Sequence, residues 1–341
     1  MRRGLKTSVL GLASALILSL VFVEWAAPNS FGAAHSLAGR LSNGGFASTL
    51  FGAGGFQRRA GREGRALPAP VGFRESEGRG LLVRVWVNGA GPFDFAVDTG
   101  AGASILSPRV AGAARVEVET GGRGIEIGGL SGARRAGGQK AFVRSLSAGF
   151  RENSLPVGGL FIVAPGLPED VDGILDPTEV FSPLGFVIDM PRSELRVFDP
   201  RSTPLRAGDT PPGGAVVRWL VEGGSRRPFV MLAEGRRALI DTGSGYGLAV
   251  NATAARSLGI LAEGGREGAG TRDLGGGRVA SRRVRPATVS LGPLVLRGVP
   301  TDLLLNAENG APVLLGRDAL RPFQLTFDPV NRLIMLRPEE E

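Results

Sequence analysis

The chain repeats its own plan. Asp98-Thr99-Gly100 follows the apolar run Phe95-Ala96-Val97, and Asp241-Thr242-Gly243 follows Ala238-Leu239-Ile240. A single such triplet arises easily by chance, but here the surroundings repeat with it. Leu81–Val87, the turn cluster Asn88-Gly89-Ala90-Gly91-Pro92 and Phe93–Val97 read as a hairpin delivering Asp98. Phe229–Leu232 and Arg237–Ile240 flank a turn and deliver Asp241 in the same way. A short helix is expected after each triplet, over Pro108–Arg115 and over Asn251–Leu258, where Asn251 is the cap candidate. Gly-rich stretches follow at 121–138 and 264–277, then apolar strands, then Asp172-Gly173-Ile174-Leu175 in one half and Val313-Leu314-Leu315-Gly316 in the other. The triplets lie 143 positions apart and the later anchors Asp189 and Asp328 lie 139 apart. Near-equal offsets at both ends mark an internal duplication of about 140 residues. Two like halves, each offering one acidic loop, bring two carboxylates to a pseudo-symmetric interface.

Composition narrows both fold and chemistry. With 54 Gly and 23 Pro the chain is rich in turns and poor in long helices, which points to an all-β protein. It has 0 Cys and 1 His, and that His35 precedes the first repeat. Thiol nucleophiles, thiolate or imidazole metal sites and a Ser-His-Asp triad are therefore excluded from the expected chemistry. Lys6 and Lys140 are the two lysines, so a Ser-Lys pair would rest on Lys140. Carboxylates remain as the catalytic groups. Neither a metal nor a cofactor is expected, and the Asp170/Asp172/Asp176 group lacks the ligand spacing of a calcium loop. The net charge of +8 is carried by arginines scattered through Gly-rich loops, without a basic helix or aromatic interleaving, so nucleic acid is not an expected partner.

The chain divides into four expected segments. Residues 1–34 combine basic Arg2, Arg3 and Lys6 with an apolar stretch from Val9 to Val23 and small residues at Gly32-Ala33-Ala34, the pattern of an export signal. An uncleaved N-terminal anchor is the alternative, with Trp25 at the membrane interface. Either places the bulk of the protein outside the cytoplasm, periplasmic or extracellular. Residues 35–78 read as a flexible Gly/Ala/Arg-rich tether. Residues 79–205 and 206–341 are the two repeats, expected to act as an intramolecular pseudo-dimer within a monomer.

At these residues the chain resembles the pepsin/retropepsin superfamily of aspartic proteases, in its bacterial single-chain form with two retropepsin-like domains. The resemblance spans roughly residues 80–338 and rests on V-N-G-A-G-P-F-D-F-A-V-D-T-G-A (87–101), L-I-D-T-G-S (239–244), D-G-I-L (172–175) and V-L-L-G-R-D-A-L (313–320). It implies two pseudo-symmetric acid-protease β-barrel domains, an aspartic-type endopeptidase activity on a peptide or unfolded protein, and an apolar-apolar-Gly segment packed beneath each acidic loop. The first half departs from that pattern, because Asp176 stands where a Gly is usual.

The resemblance also implies the site. Asp98 and Asp241 would face each other at close range and titrate as a pair sharing one proton. The ionised member acts as general base on a water, and the protonated one polarises the scissile carbonyl. Gly100 and Gly243 are expected to permit a sharp turn, and Thr99 and Thr242 to hydrogen-bond across to the opposite loop. Ser244 is a candidate partner for the outer oxygen of Asp241, a role Ala101 cannot play for Asp98; which aspartate is the base stays open at this point. The Gly-rich stretches occupy the position of flaps, or of ordinary loose hairpins, and neither contains a tyrosine: the one tyrosine is Tyr246. A non-catalytic peptide-binding module on the same fold, and hydrolysis of a non-protein amide or isopeptide, are the alternatives.

Overall fold

The computed structural model describes residues 66–339, except 122–123, 223–224, 262–263 and 269–270. The segment read as an export signal and most of the expected tether lie outside the described residues. Among those described, no helix is long and apolar enough to cross a membrane.

Each repeat folds into a lobe around the strand that delivers its aspartate. In the first lobe Gly80–Val87 pairs antiparallel with Ala90–Val97, as the turn cluster between them requires. Ala90–Val97 does not pair with Ser104–Leu106, the strand that leaves the acidic loop. Gly173–Leu175 slots between the two, parallel to the first and antiparallel to the second. The second lobe repeats this: Val313–Gly316 lies parallel to Arg237–Asp241 and antiparallel to Leu248–Asn251. The inserted strands are buried throughout, hence their unbroken apolar sequence. Each acidic loop therefore spans the end of a strand of the same sheet and cannot collapse onto its own hairpin. Both expected short helices are present, Pro108–Ala113 capped by Ser107 and Ala252–Ser257 capped by Asn251, whose side chain accepts from Ala254 N.

One expectation is corrected. The tether, expected to run through residue 78, stops earlier, because Val71–Gly72 and Arg74–Ser76 are strands, paired to Leu195–Glu194 and to Gly80–Leu82. Val71 and Phe73 are buried, and this apolar content in a Gly/Arg-rich context supplies the docking energy. The two lobes are also joined by a sheet that neither repeat owns. Its order is Val71–Gly72, Glu194–Phe198, Gly185–Asp189, Phe323–Asp328, Leu333–Pro338, Ala215–Arg218, three strands from each half. The junction pairs Phe186 with Phe327, whose rings stack with centroids 4.5 Å apart, and Trp219 meets Phe327 edge-on. One hydrophobic core runs through this sheet into both lobes.

The Gly-rich stretches form hairpins. Ile125–Gly128 pairs with Arg134–Phe142, and Thr271–Arg272 with Arg278–Val279. Their tips exchange partners. Leu130, from the first half, is fully buried in a cluster of second-lobe residues that includes Tyr246. Leu274, from the second half, is buried with Ala101 and Ala103 in the first lobe.

Candidate active site

The two acidic loops are locked to one another by their threonines. Thr99 N donates to Thr242 Oγ1 and Thr242 N to Thr99 Oγ1, each at 3.1 Å. The hydroxyls donate onward across the interface, Thr99 Oγ1 to Ile240 O at 2.6 Å and Thr242 Oγ1 to Val97 O at 3.0 Å. Both threonines are fully buried, so removing either hydroxyl leaves buried backbone groups unmet.

Gly100 and Gly243 lie in the turn after each aspartate, and neither takes the left-handed backbone conformation. Their importance is space. A Cβ on Gly100 would stand 2.8 Å from Asp241 Cγ, and one on Gly243 would overlap the Asp98 carboxyl. Each glycine thus lies directly against the opposite lobe's aspartate, and that closeness brings the two carboxyls face to face.

Both aspartates are completely buried. Burial, and then the charge of Asp241, push the Asp98 carboxyl well above the usual carboxylate range, against the bond it accepts from Gly100 N at 2.8 Å. Asp241 Oδ1 accepts from two backbone N–H groups, Gly243 at 2.9 Å and Ser244 at 3.1 Å. Ser244 thus reaches Asp241 through its backbone, while its hydroxyl accepts from Tyr246 N. Ala101 contributes only apolar contact, in the cluster that receives Leu274.

Three further contributors surround the loops, and of these the sequence had marked only Asp176 by its position. Arg317 is buried and donates from Nη1 to Thr242 O at 2.8 Å, while Glu75 bridges it to Arg321. The strand Arg74–Ser76 is thereby tied to the second acidic loop. At the hairpin tips Asp273 accepts from Ser131 N at 2.8 Å, Ser131 Oγ at 2.6 Å and Gly277 N at 3.0 Å, binding one tip to the other. Only the Gly-rich character of those stretches hinted at their closeness. Asp176 caps the helix Pro177–Val180 by accepting from Thr178 N and Oγ1, and burial raises its carboxyl to about 7. The other two members of its acidic group point elsewhere, Asp170 pairing with Arg79 and Asp172 with Arg109.

A cleft of about 650 Å³ opens beside the second loop, lined by Glu77, Gly245, Tyr246, Thr271, Arg283 and Asp318 among others. It joins the residues that follow the acidic triplet to the second hairpin. The loops are locked together, the two aspartates are buried against each other's loop, and the hairpins meet at their tips. A family model described as aspartyl protease matches residues 83–175 and 234–319, covering both loops and both inserted strands. No curated protein matches the chain.

Proposed function

The chain belongs to the aspartyl protease family, and on that premise we propose that it is an exported aspartic endopeptidase in which Asp98 and Asp241 together hydrolyse peptide bonds. The observation that supports this reading best is the reciprocal threonine lock, which holds two buried carboxyls against each other's loop. Two carboxylic acids at such range do not both ionise readily, so one proton is shared. The ionised member takes a proton from a water as its oxygen attacks the peptide carbonyl carbon. The protonated member gives its proton to the carbonyl oxygen, and the tetrahedral diol then collapses with transfer of a proton to the leaving nitrogen. This chemistry calls for neither metal nor cofactor.

The substrate is a peptide or unfolded protein laid in extended form between the loops and the hairpins, in contact with the cleft beside Tyr246. One chain supplies both acids, so a monomer suffices. Export rests on the basic-then-apolar N-terminal segment. The competing reading, a peptide-binding module without activity, draws on the tips bound together through Asp273, which restrict entry. The test is cleavage of an unfolded protein by the full chain, Asp98→Asn and Asp241→Asn, from about pH 3 to about pH 8. Activity in the parent, lost by at least about a thousandfold in both variants, is the expected outcome. A folded parent that binds peptides yet cleaves none at any pH would favour the binding module.

A further inference from the structure

The two halves of the dyad are not equivalent, and the difference centres on Asp176. In the second lobe the inserted strand ends Leu315-Gly316, in register with Ile240-Asp241. A Cβ on Gly316 would overlap Tyr246 O and crowd Ser244 O. The first lobe replaces that arrangement as a set. Its inserted strand pairs Leu175 with Val97, and Asp98 N donates to Leu175 O at 3.0 Å, so Asp176 follows on the strand beside Asp98. Where the second loop has Ser244, the first has Ala101. A third carboxylic acid thus follows the strand beside Asp98, where the second lobe has Gly316.

Asp176 is fully buried. Its backbone N donates to Ser104 Oγ, and its Oδ1 accepts from Thr178, but its Oδ2 is buried without a hydrogen-bond partner. Capping a helix of four residues accounts for one oxygen and not for the other. The charged groups facing it are Asp98, on which its charge acts, and Glu179, whose carboxylate is itself partnered by Arg226 from the second lobe. The backbone donors are unequal in the same sense. Asp241 accepts two N–H bonds, which favour its anion, whereas Asp98 accepts one.

We infer that Asp176 is a positioning residue that, in its ionised form, holds the shared proton on Asp98 and leaves Asp241 as the general base. The inference rests on the endopeptidase reading for its catalytic meaning, though not for the position of the proton. In the reaction Asp241 takes the water proton as the new C–O bond forms, while Asp98 gives its own to the carbonyl oxygen. On collapse the C–N bond breaks, Asp241 passes its proton to the nitrogen, and Asp98 recovers one from the diol hydroxyl. Both acids return to their starting states. Asp176 neither gains nor loses a proton in that cycle. Its acid form titrates near 7, and the anion formed above that raises the cost of removing the Asp98 proton. Above about pH 7 the dyad therefore keeps its single-proton form longer than it would without Asp176.

The experiment compares full-length parent with Asp176→Asn, which keeps a capping side chain, and with the double variant Asp176→Gly/Ala101→Ser, which installs the second lobe's pattern in the first. In kcat/KM profiles both variants should move the alkaline midpoint down by about one pH unit, with the acidic limb unmoved. An alkaline midpoint that stays in place in folded variants overturns the inference. Carboxyl ¹³C NMR titration provides a readout that needs no turnover. Asp98 observed in Asp241→Asn should titrate above Asp241 observed in Asp98→Asn, and adding Asp176→Asn should lower the Asp98 midpoint. The reverse order, or an Asp98 midpoint indifferent to Asp176, also overturns it. A parent without activity but with the expected NMR order would count against the endopeptidase reading alone.

Discussion

Asp176 leaves a mark on stability as well as on the dyad. Its carboxyl titrates near 7 in the folded chain and near 3.8 when exposed. A folded-state value raised in this way contributes stability that is complete below about pH 4 and is lost as the pH rises to about 7, because the unfolded chain releases the proton first. The loss amounts to a few kcal/mol, on the order of 1.4 kcal/mol for each pH unit that separates the folded from the exposed value. Equilibrium urea unfolding at stepped pH should therefore show the parent weakening across that window more steeply than Asp176→Asn. Parallel curves would mean that Asp176 is not held neutral in the fold. Asp98 weakens the parent in the same direction, so the difference between the two slopes isolates Asp176. The candidate site residues are marked in the sequence at this scale. Asp98 and Asp241, with Thr99, Gly100, Thr242 and Gly243, stand out from the sequence because a duplicated triplet is a local, countable signal. The reason for the glycines was not legible. Gly100 and Gly243 face a carboxyl from the opposite half of the chain, and no local pattern records that contact.

At the scale of elements, the hairpins divide into a part the sequence announces and a part it hides. Glycine-rich stretches flanked by strands read as mobile or loosely paired hairpins, and paired strands are found there. The exchange of Leu130 and Leu274 between lobes was not visible. A lone leucine in a Gly-rich run has no periodicity to assign it to a core, and each leucine here belongs to the opposite lobe's cluster. Asp273 holds the exchanged tips through three donors, two of them from Ser131. Asp273→Ala removes the common acceptor and leaves Ser131 N and Gly277 N seeking water. Hydrogen exchange at residues 129–133 and 273–277 should then accelerate at least about tenfold, while the strand Gly80–Val87 keeps its protection. Unchanged exchange at the tips would show that the two leucines alone keep them together. The two helices after the triplets were legible, by contrast, and the cap read at Asn251 is in place, while the Ser107 cap emerges only in the structure.

For the whole molecule, the decisive element is the six-stranded sheet shared by the halves. Gly185–Asp189 has Phe323–Asp328 as its neighbour, and Phe186 stacks on Phe327 across that boundary. A chain ending at 205 would expose the apolar edge and face that the second half covers, so the repeats are not expected to fold as separate domains. The full chain should melt in one cooperative transition. Residues 66–205 and 206–341 produced apart should show no cooperative melt by circular dichroism, and mixing them should restore one. Two independent melting transitions in the full chain would refute this. Duplication, β-rich character and the candidate acidic pair followed from the amino-acid sequence alone, because repeats, turn residues, a single histidine and the absence of cysteine are properties of local composition and spacing. The tertiary structure decided which strands the two halves share, where the tether ends at Val71, which lobe receives each tip leucine and that Asp176 follows the strand beside Asp98. Those depend on side chains that meet only after two segments about 140 residues apart have closed on one another, and loop closure over such a distance leaves no trace in neighbouring residues.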